Sequence, residues 1–506
     1  MATASIVDLE RPGPWDNYHR TGTAQLRARF ALRSGDARYG RVDIAEAARA
    51  VQKWLLKAKE QDVPVRPVGG AWSLSNIQLV QNGWMLNTRR YNRCFRLVAK
   101  DFARPASIDA GAFMLIEGGV QVDEVNDKLE EMGRSLGTTG ASNGQTFPGA
   151  CATGTHGSVL TAGGIQQHVR AVQIVTPGGI WWIEPAAGLM SEDFVRDTGS
   201  TLLRDDDAFA AALVAVGSLG IVTAMVIEAE PLYLIRPYLR LIEFRREDVE
   251  TLERGDFRAF SDKHGLKGHD PYFVMVITTP YRPWGGKAVA RFLYRFPYRP
   301  DYPHVEPGQV GAAYDAQSIM SWALRQFPWA RGKILQFIMR LGVGKGFTEE
   351  RYGTWGETLE TPKPMGNSFS AALFCDRNRL VHTLEALCTA FRRAGGSTAV
   401  TIRFVKGGYG LLTPARWEDS VVIDCDGPGG EGTLRAYQKM LDALEKQGVA
   451  HTLHWGKINN LTPGRVAADY GSDLVRWKAV RDRLLPTPAD RRLFATRELE
   501  AFGLAG

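Results

Sequence analysis

Apolar positions along the chain recur first at helical spacing and then in short β-branched runs. Ile44, Ala47, Ala48, Val51, Leu55 and Ala58 share one helical face. Asp43 stands before them as an N-cap, with Glu46 three residues on as in a capping box. Residues 63–68 predict a strand that ends in the turn Gly69-Gly70. Val122, Val125, Leu129 and Met132 predict a second amphipathic helix, stopped by Gly133. Segments 170–175 and 180–183 flank Pro177-Gly178-Gly179 and predict a hairpin. Residues 208–227 carry no charge and are long enough to cross a bilayer. Gly217-Ser218-Leu219-Gly220 interrupts them, however, and their second half is β-branched. They read as a buried helix, a tight turn and a buried strand.

After about residue 232 the texture changes, and Tyr, Phe, Arg and Pro become frequent. Residues 318–347 set Trp322, Phe327, Trp329, Phe337 and Phe347 among Arg325, Arg331, Lys333, Arg340 and Lys345. That pattern predicts a pair of amphipathic helices on a sheet; a lid or a membrane-facing patch is the alternative. Strand-like segments return at 398–405 and 420–425.

Composition narrows the class. A chain of 506 residues, 44% hydrophobic and 23% charged, reads as a globular protein of two domains, three at most. The net charge is +7, but the 62 basic residues are dispersed without a run. This disfavours nucleic acid as a partner and suits an anionic cofactor or substrate. Cys94, Cys151, Cys375, Cys388 and Cys425 form no CxxC pair, which fits a reducing compartment better than a disulfide framework. No basic start followed by an apolar run opens the sequence. The expectation is a cytoplasmic protein with no transmembrane segment.

Three segments carry candidate chemistry. In Pro67-Val68-Gly69-Gly70-Ala71-Trp72-Ser73, glycines free the backbone to present consecutive N–H groups, a nest suited to phosphate. In residues 145–158 small residues alternate with hydroxyls, which permits close approach of a flat ligand. His156 lies there without a second ligand at metal spacing, so no metal site is expected. The third segment, residues 217–223, is a turn into a strand. No G-x-G-x-x-G follows a strand, which disfavours a Rossmann fold, and no P-loop is present.

In this order the three segments resemble the FAD-binding domain of the vanillyl-alcohol oxidase superfamily, and within it the aldonolactone, alditol and class II sterol oxidase branch. The resemblance implies an α+β protein. A two-subdomain FAD-binding domain (PCMH type) would span 1–232, and an α+β cap domain on an antiparallel sheet would span 233–455. A C-terminal segment, 456–506, would return to the FAD domain. It also implies that Gly69, Gly70, Ala71, Trp72 and Ser73 line the pyrophosphate. Ser142, Thr146, Gly149, Ala150, Thr153, Gly154 and His156 would line the rest of the flavin. Ile221 and Val222 would touch the cofactor through their backbone. Relatives often carry a histidine in the first turn that bonds covalently to the flavin. Trp72 stands there and cannot, so non-covalent FAD is expected.

Downstream, the branch carries Glu-x-Arg and His-Trp-x-Lys motifs near the flavin. Arg403 and Lys457 match, while Thr401 replaces the glutamate. With no carboxylate at 401, two uncompensated cations would face the substrate and favour an acidic one. Tyr409 is a candidate pocket hydroxyl, and His454 reads as structural. The expected activity is hydride transfer from a small organic molecule to flavin N5, with O2 or another acceptor reoxidising the flavin. Oxidative decarboxylation or desaturation of a carboxylic acid in secondary metabolism is a second reading; a flavin-binding protein without turnover is a third.

Overall fold

The computed structural model describes residues 3–9, 12–36, 40–140, 142–305, 332–335, 337, 346–359 and 368–505. Most of the aromatic and basic stretch 318–347 lies outside these residues. The fold is α+β, and its described strands form three main sheets.

The first sheet orders Ser5–Asp8, Thr23–Arg33, Gly83–Arg90 and Val65–Val68, with Gly13–Asp16 also on Thr23–Arg33. The second orders Thr201–Arg204, Gly179–Glu184, Val169–Thr176, Ile221–Glu228, Phe113–Glu117 and Cys94–Arg96. The helix Gly40–Glu60 packs against strands of both. Its expected apolar face is fully buried, from Ile44 to Ala58. It begins four residues earlier than the cap pattern suggested. Asp43 therefore lies in the first turn, buried, and its carboxylate pairs with Arg93 instead of capping. A negative charge there still suits the helix dipole. The hairpin of 169–184 and the helix Val122–Glu130 form as the pattern predicts. The uncharged stretch splits into the helix Asp206–Leu213 and the strand Ile221–Glu228. Gly217 and Gly220 turn between them at φ 72° and 128°. No helix among the described residues is long and apolar enough to cross a membrane.

The third sheet is antiparallel and seven-stranded. Its order is Tyr233–Phe244, Gly286–Pro297, Phe273–Thr278, Ala399–Lys406, Asp419–Pro428, Ser368–Asp376 and Thr452–Leu453. Strand alternation sorts its residues. Val400, Ile402, Phe404, Ile423, Cys425, Ala371 and Leu373 bury against the helices Leu380–Arg393 and Glu431–Lys446. The opposite parity, Thr401, Arg403, Asp424, Asp426 and Ser370, is polar. The chain's last segment contacts its first half: Leu74 N–H donates to the Gly456 carbonyl at 2.8 Å, and Lys59 pairs with Asp490 at 2.7 Å.

Three buried histidines tie stability to pH. Burial pulls His156, His168 and His451 down to about 4. His451 owes its shift to burial first and to nearby Arg465 second. A histidine held neutral in the fold binds fewer protons than its unfolded counterpart, which titrates at about 6.5. The stabilisation is therefore full above about pH 6.5 and is lost as pH falls toward about 4. Urea denaturation at pH 7 and pH 5 should show a loss on the order of 1–2 kcal/mol per histidine. The variant H168Q should flatten part of that slope.

Candidate active site

The strand Val65–Val68 delivers the turn 69–73 to the wall of a cavity of about 330 Å³, within the usual size range of ligand pockets. Neither glycine of the turn has room for a side chain. A Cβ on Gly69 would strike the Thr146 side chain, and one on Gly70 would lie 2.6 Å from the Gly144 carbonyl oxygen. Ala71 takes the left-handed conformation at φ 57°, a strain on the order of 1–3 kcal/mol for a residue with a Cβ. Trp72 also lines the cavity, stacked on Tyr18 with ring centroids 4.3 Å apart and edge-on to His19 at 5.3 Å.

The polar face of the third sheet closes the other side. Asp419–Pro428 lies between Ala399–Lys406 and Ser368–Asp376, so Thr401 is registered directly opposite Asp424, and Ser370 opposite Asp426. Residues 454–458 run alongside: His454 N–H donates to the Ala372 carbonyl at 3.1 Å and Ile458 N–H to the Ser370 carbonyl at 3.0 Å. This places Lys457 over the aspartates. Its Nζ donates to Asp424 Oδ1 at 2.5 Å and lies 4.0 Å from Asp426 Oδ1. Arg403 Nε approaches Asp424 Oδ2 at 3.0 Å.

Asp424 is fully buried. Burial alone would raise its carboxyl, but Arg403 and Lys457 outweigh it and hold the group well below the usual carboxylate range. Lys457 is raised in turn: burial lowers it, and the charges of Asp424 and Asp426 more than reverse that. The expectation of two uncompensated cations is thereby corrected. The carboxylate absent at position 401 stands across the ladder at position 424. An acidic substrate was expected only because of that missing charge, and it loses its support here.

Of the residues singled out from sequence, Gly69, Gly70, Ala71, Trp72, Ser73, Ser142, Thr146, Gly149, Ala150, Thr153, His156, Val222, Arg403 and Lys457 share this one cavity wall. Gly154, Ile221, Thr401 and Tyr409 are not on it. Gly154 packs toward Pro414, and the Ile221 side chain is in the core. Thr401 is buried beside Asp424, while Tyr409 is 52% exposed at φ 58°. His454 Nδ1 accepts the Gly456 N–H at 3.0 Å, the structural role expected of it. Sequence reasoning missed Asp424, Asp426 and Ser370. Their signal is two aspartates alternating through the apolar run Val421-Val422-Ile423-Asp424-Cys425-Asp426, where charge is unfavourable without a partner.

Residues 41–183 match the protein-family model described as FAD binding domain. The chain is therefore similar to FAD-dependent oxidoreductases, in keeping with the vanillyl-alcohol oxidase resemblance of its motifs. It is similar to the L-gulono-1,4-lactone dehydrogenase of Mycobacterium tuberculosis, with 23% identity over 85% of this chain and 89% of that protein. It is also similar to the L-gulonolactone oxidase of Mus musculus, with 26% identity over 36% of this chain and 35% of that protein. The cholesterol oxidase of Brevibacterium sterolicum shares its fold, with a TM-score of 0.70 and 14% identity over 99% of this chain and 97% of that one.

The wall suits FAD. Gln78 Oε1, Gln145 Oε1, Ser368 Oγ and His19 Nδ1 line the cavity, are buried and have no hydrogen-bond partner among the described residues. Buried polar atoms are nearly always paired, and a large polar cofactor supplies such partners. Two outcomes follow. G69A should weaken FAD retention roughly tenfold or more, read as flavin per polypeptide after gel filtration. D424N leaves Arg403 and Lys457 facing a buried neutral amide and should cost about 3–5 kcal/mol in urea denaturation.

Proposed function

We propose that the protein oxidises a neutral, hydroxyl-bearing carbon of a small organic substrate, using FAD held without a covalent bond, with O2 or another acceptor taking the electrons onward. The observation that carries this reading is the pair Asp424 and Asp426, whose two carboxylates offset Arg403 and Lys457 and leave the pocket without the excess positive charge that would select an acid. When bound, FAD supplies the two-electron acceptor. The chain's residues bind and orient. Arg403 and Lys457, each fixed by one oxygen of Asp424, face the cavity as hydrogen-bond donors to a substrate oxygen. The lactone-oxidising names of similar proteins agree with a hydroxyl-bearing substrate.

Trp72 supports non-covalent attachment, because an indole offers only an N–H donor and no nucleophilic ring nitrogen. On this reading FAD rests on residues 1–232 together with 456–506, and the substrate enters over the sheet of 233–455.

Anaerobic mixing of the holoenzyme with L-gulono-1,4-lactone, cholesterol and a panel of carboxylic acids tests the substrate class. Neutral hydroxyl compounds should bleach the flavin absorbance. Bleaching by acids alone, with CO2 released, would sink the proposal. Acid precipitation should leave the yellow colour in the supernatant; colour in the pellet would overturn the non-covalent reading.

A further inference from the structure

We propose that Asp426 is the catalytic base, the group that takes the hydroxyl proton of the substrate as the hydride leaves carbon. The inference rests on the proposed oxidation of a hydroxyl-bearing carbon and assigns its proton.

The cavity offers few candidates. Asp424 is nearest to the cations, but it is fully buried, is not on the cavity wall and spends both oxygens on Arg403 and Lys457. His156 and His454 are on the wall, yet each has its Nδ1 engaged with backbone, at Gly157 and Gly456. Burial drives both well below the ordinary imidazole range, which makes them poor proton acceptors. Asp426 differs on every count. It lines the cavity, and a third of its side chain is exposed to it. The Ser370 hydroxyl donates to its Oδ1 at 2.5 Å, and among the described residues its Oδ2 accepts no hydrogen bond. One oxygen is thus held and the other is available.

The surrounding charges suit the task. Burial raises Asp426 first; Lys457 opposes this and the adjacent Asp424 charge adds to it, with Arg403 opposing weakly. The result is a stronger base than an ordinary carboxylate. His156 and His454 stay neutral beside it and add no competing charge. Lys457, 4.0 Å away, favours the ionised carboxylate.

The balance is complete. The substrate C–H and O–H bonds break and a C=O bond forms. The hydride carries two electrons to FAD, and the proton goes to Asp426 Oδ2. Asp426 then returns the proton to solvent when the electron acceptor, such as O2, removes the two electrons.

The test is anaerobic stopped-flow reduction of the holoenzyme by whichever neutral hydroxyl compound bleaches the wild type, starting with L-gulono-1,4-lactone and cholesterol. D426N should slow flavin reduction roughly 10²–10⁴-fold, with the substrate Kd within about threefold and the bound-flavin spectrum retained. The wild-type rate should fall at acid pH, and D426N should lack that limb. S370A removes the hydrogen bond that favours the ionised form, so its acid limb should move to higher pH; this variant decides the matter if D426N does not fold. A D426N rate within about threefold of wild type, or an unmoved limb in S370A, would overturn the assignment while leaving the hydroxyl-oxidation reading intact. A wild type that no hydroxyl compound reduces overturns both.

Discussion

The site depends on one buried carboxylate. Asp424 sits in the middle of a sheet with no solvent access, where an unpaired charge is costly. Arg403 from one neighbouring strand and Lys457 from the segment beyond the other each take one of its oxygens. Asp424 helps hold both cations at the cavity, and both pull its carboxyl down against the effect of burial. The three residues form a unit that belongs to no single element of the fold.

This arrangement changes what the departures in the sequence mean. Thr401 looked like the loss of a charge. The register shows a carboxylate close at hand all the same, because antiparallel pairing brings Asp424 directly opposite 401. A charge missing from one strand can be supplied by its ladder partner, since both point to the same face. The case for an acidic substrate, and for decarboxylation built on it, came from counting charges within one motif. The ladder adds a second motif to the count.

Local features were legible from sequence. The glycine turn at 69–70, the hairpin of 169–184 and the helix–turn–strand of 206–228 each depend on residues close in the chain: glycines, β-branched runs and helical spacing. The cap at Asp43 was misplaced because an acidic residue serves an ion pair as readily as a helix end, and Arg93 is 50 positions away. Asp424 and Asp426 escaped notice for the same reason. A strand residue shows its chemistry only once its cross-strand partners are known, and period-two alternation does not reveal register.

The turn at Gly456 joins distant ends of the chain. Its carbonyl receives the Leu74 N–H, while Ser75 Oγ donates to Trp455 across 380 positions of sequence. One residue further on, Lys457 reaches the aspartates. The wall of the glycine turn and the wall of the third sheet are thus fastened together by residues 455–457. The glycine turn has its brace only when residues 455 and 456, some 380 positions away, are in place. Contacts of such long range carry a loop-closure cost before they repay it, so the pocket joins parts of the chain that no local segment could bring together.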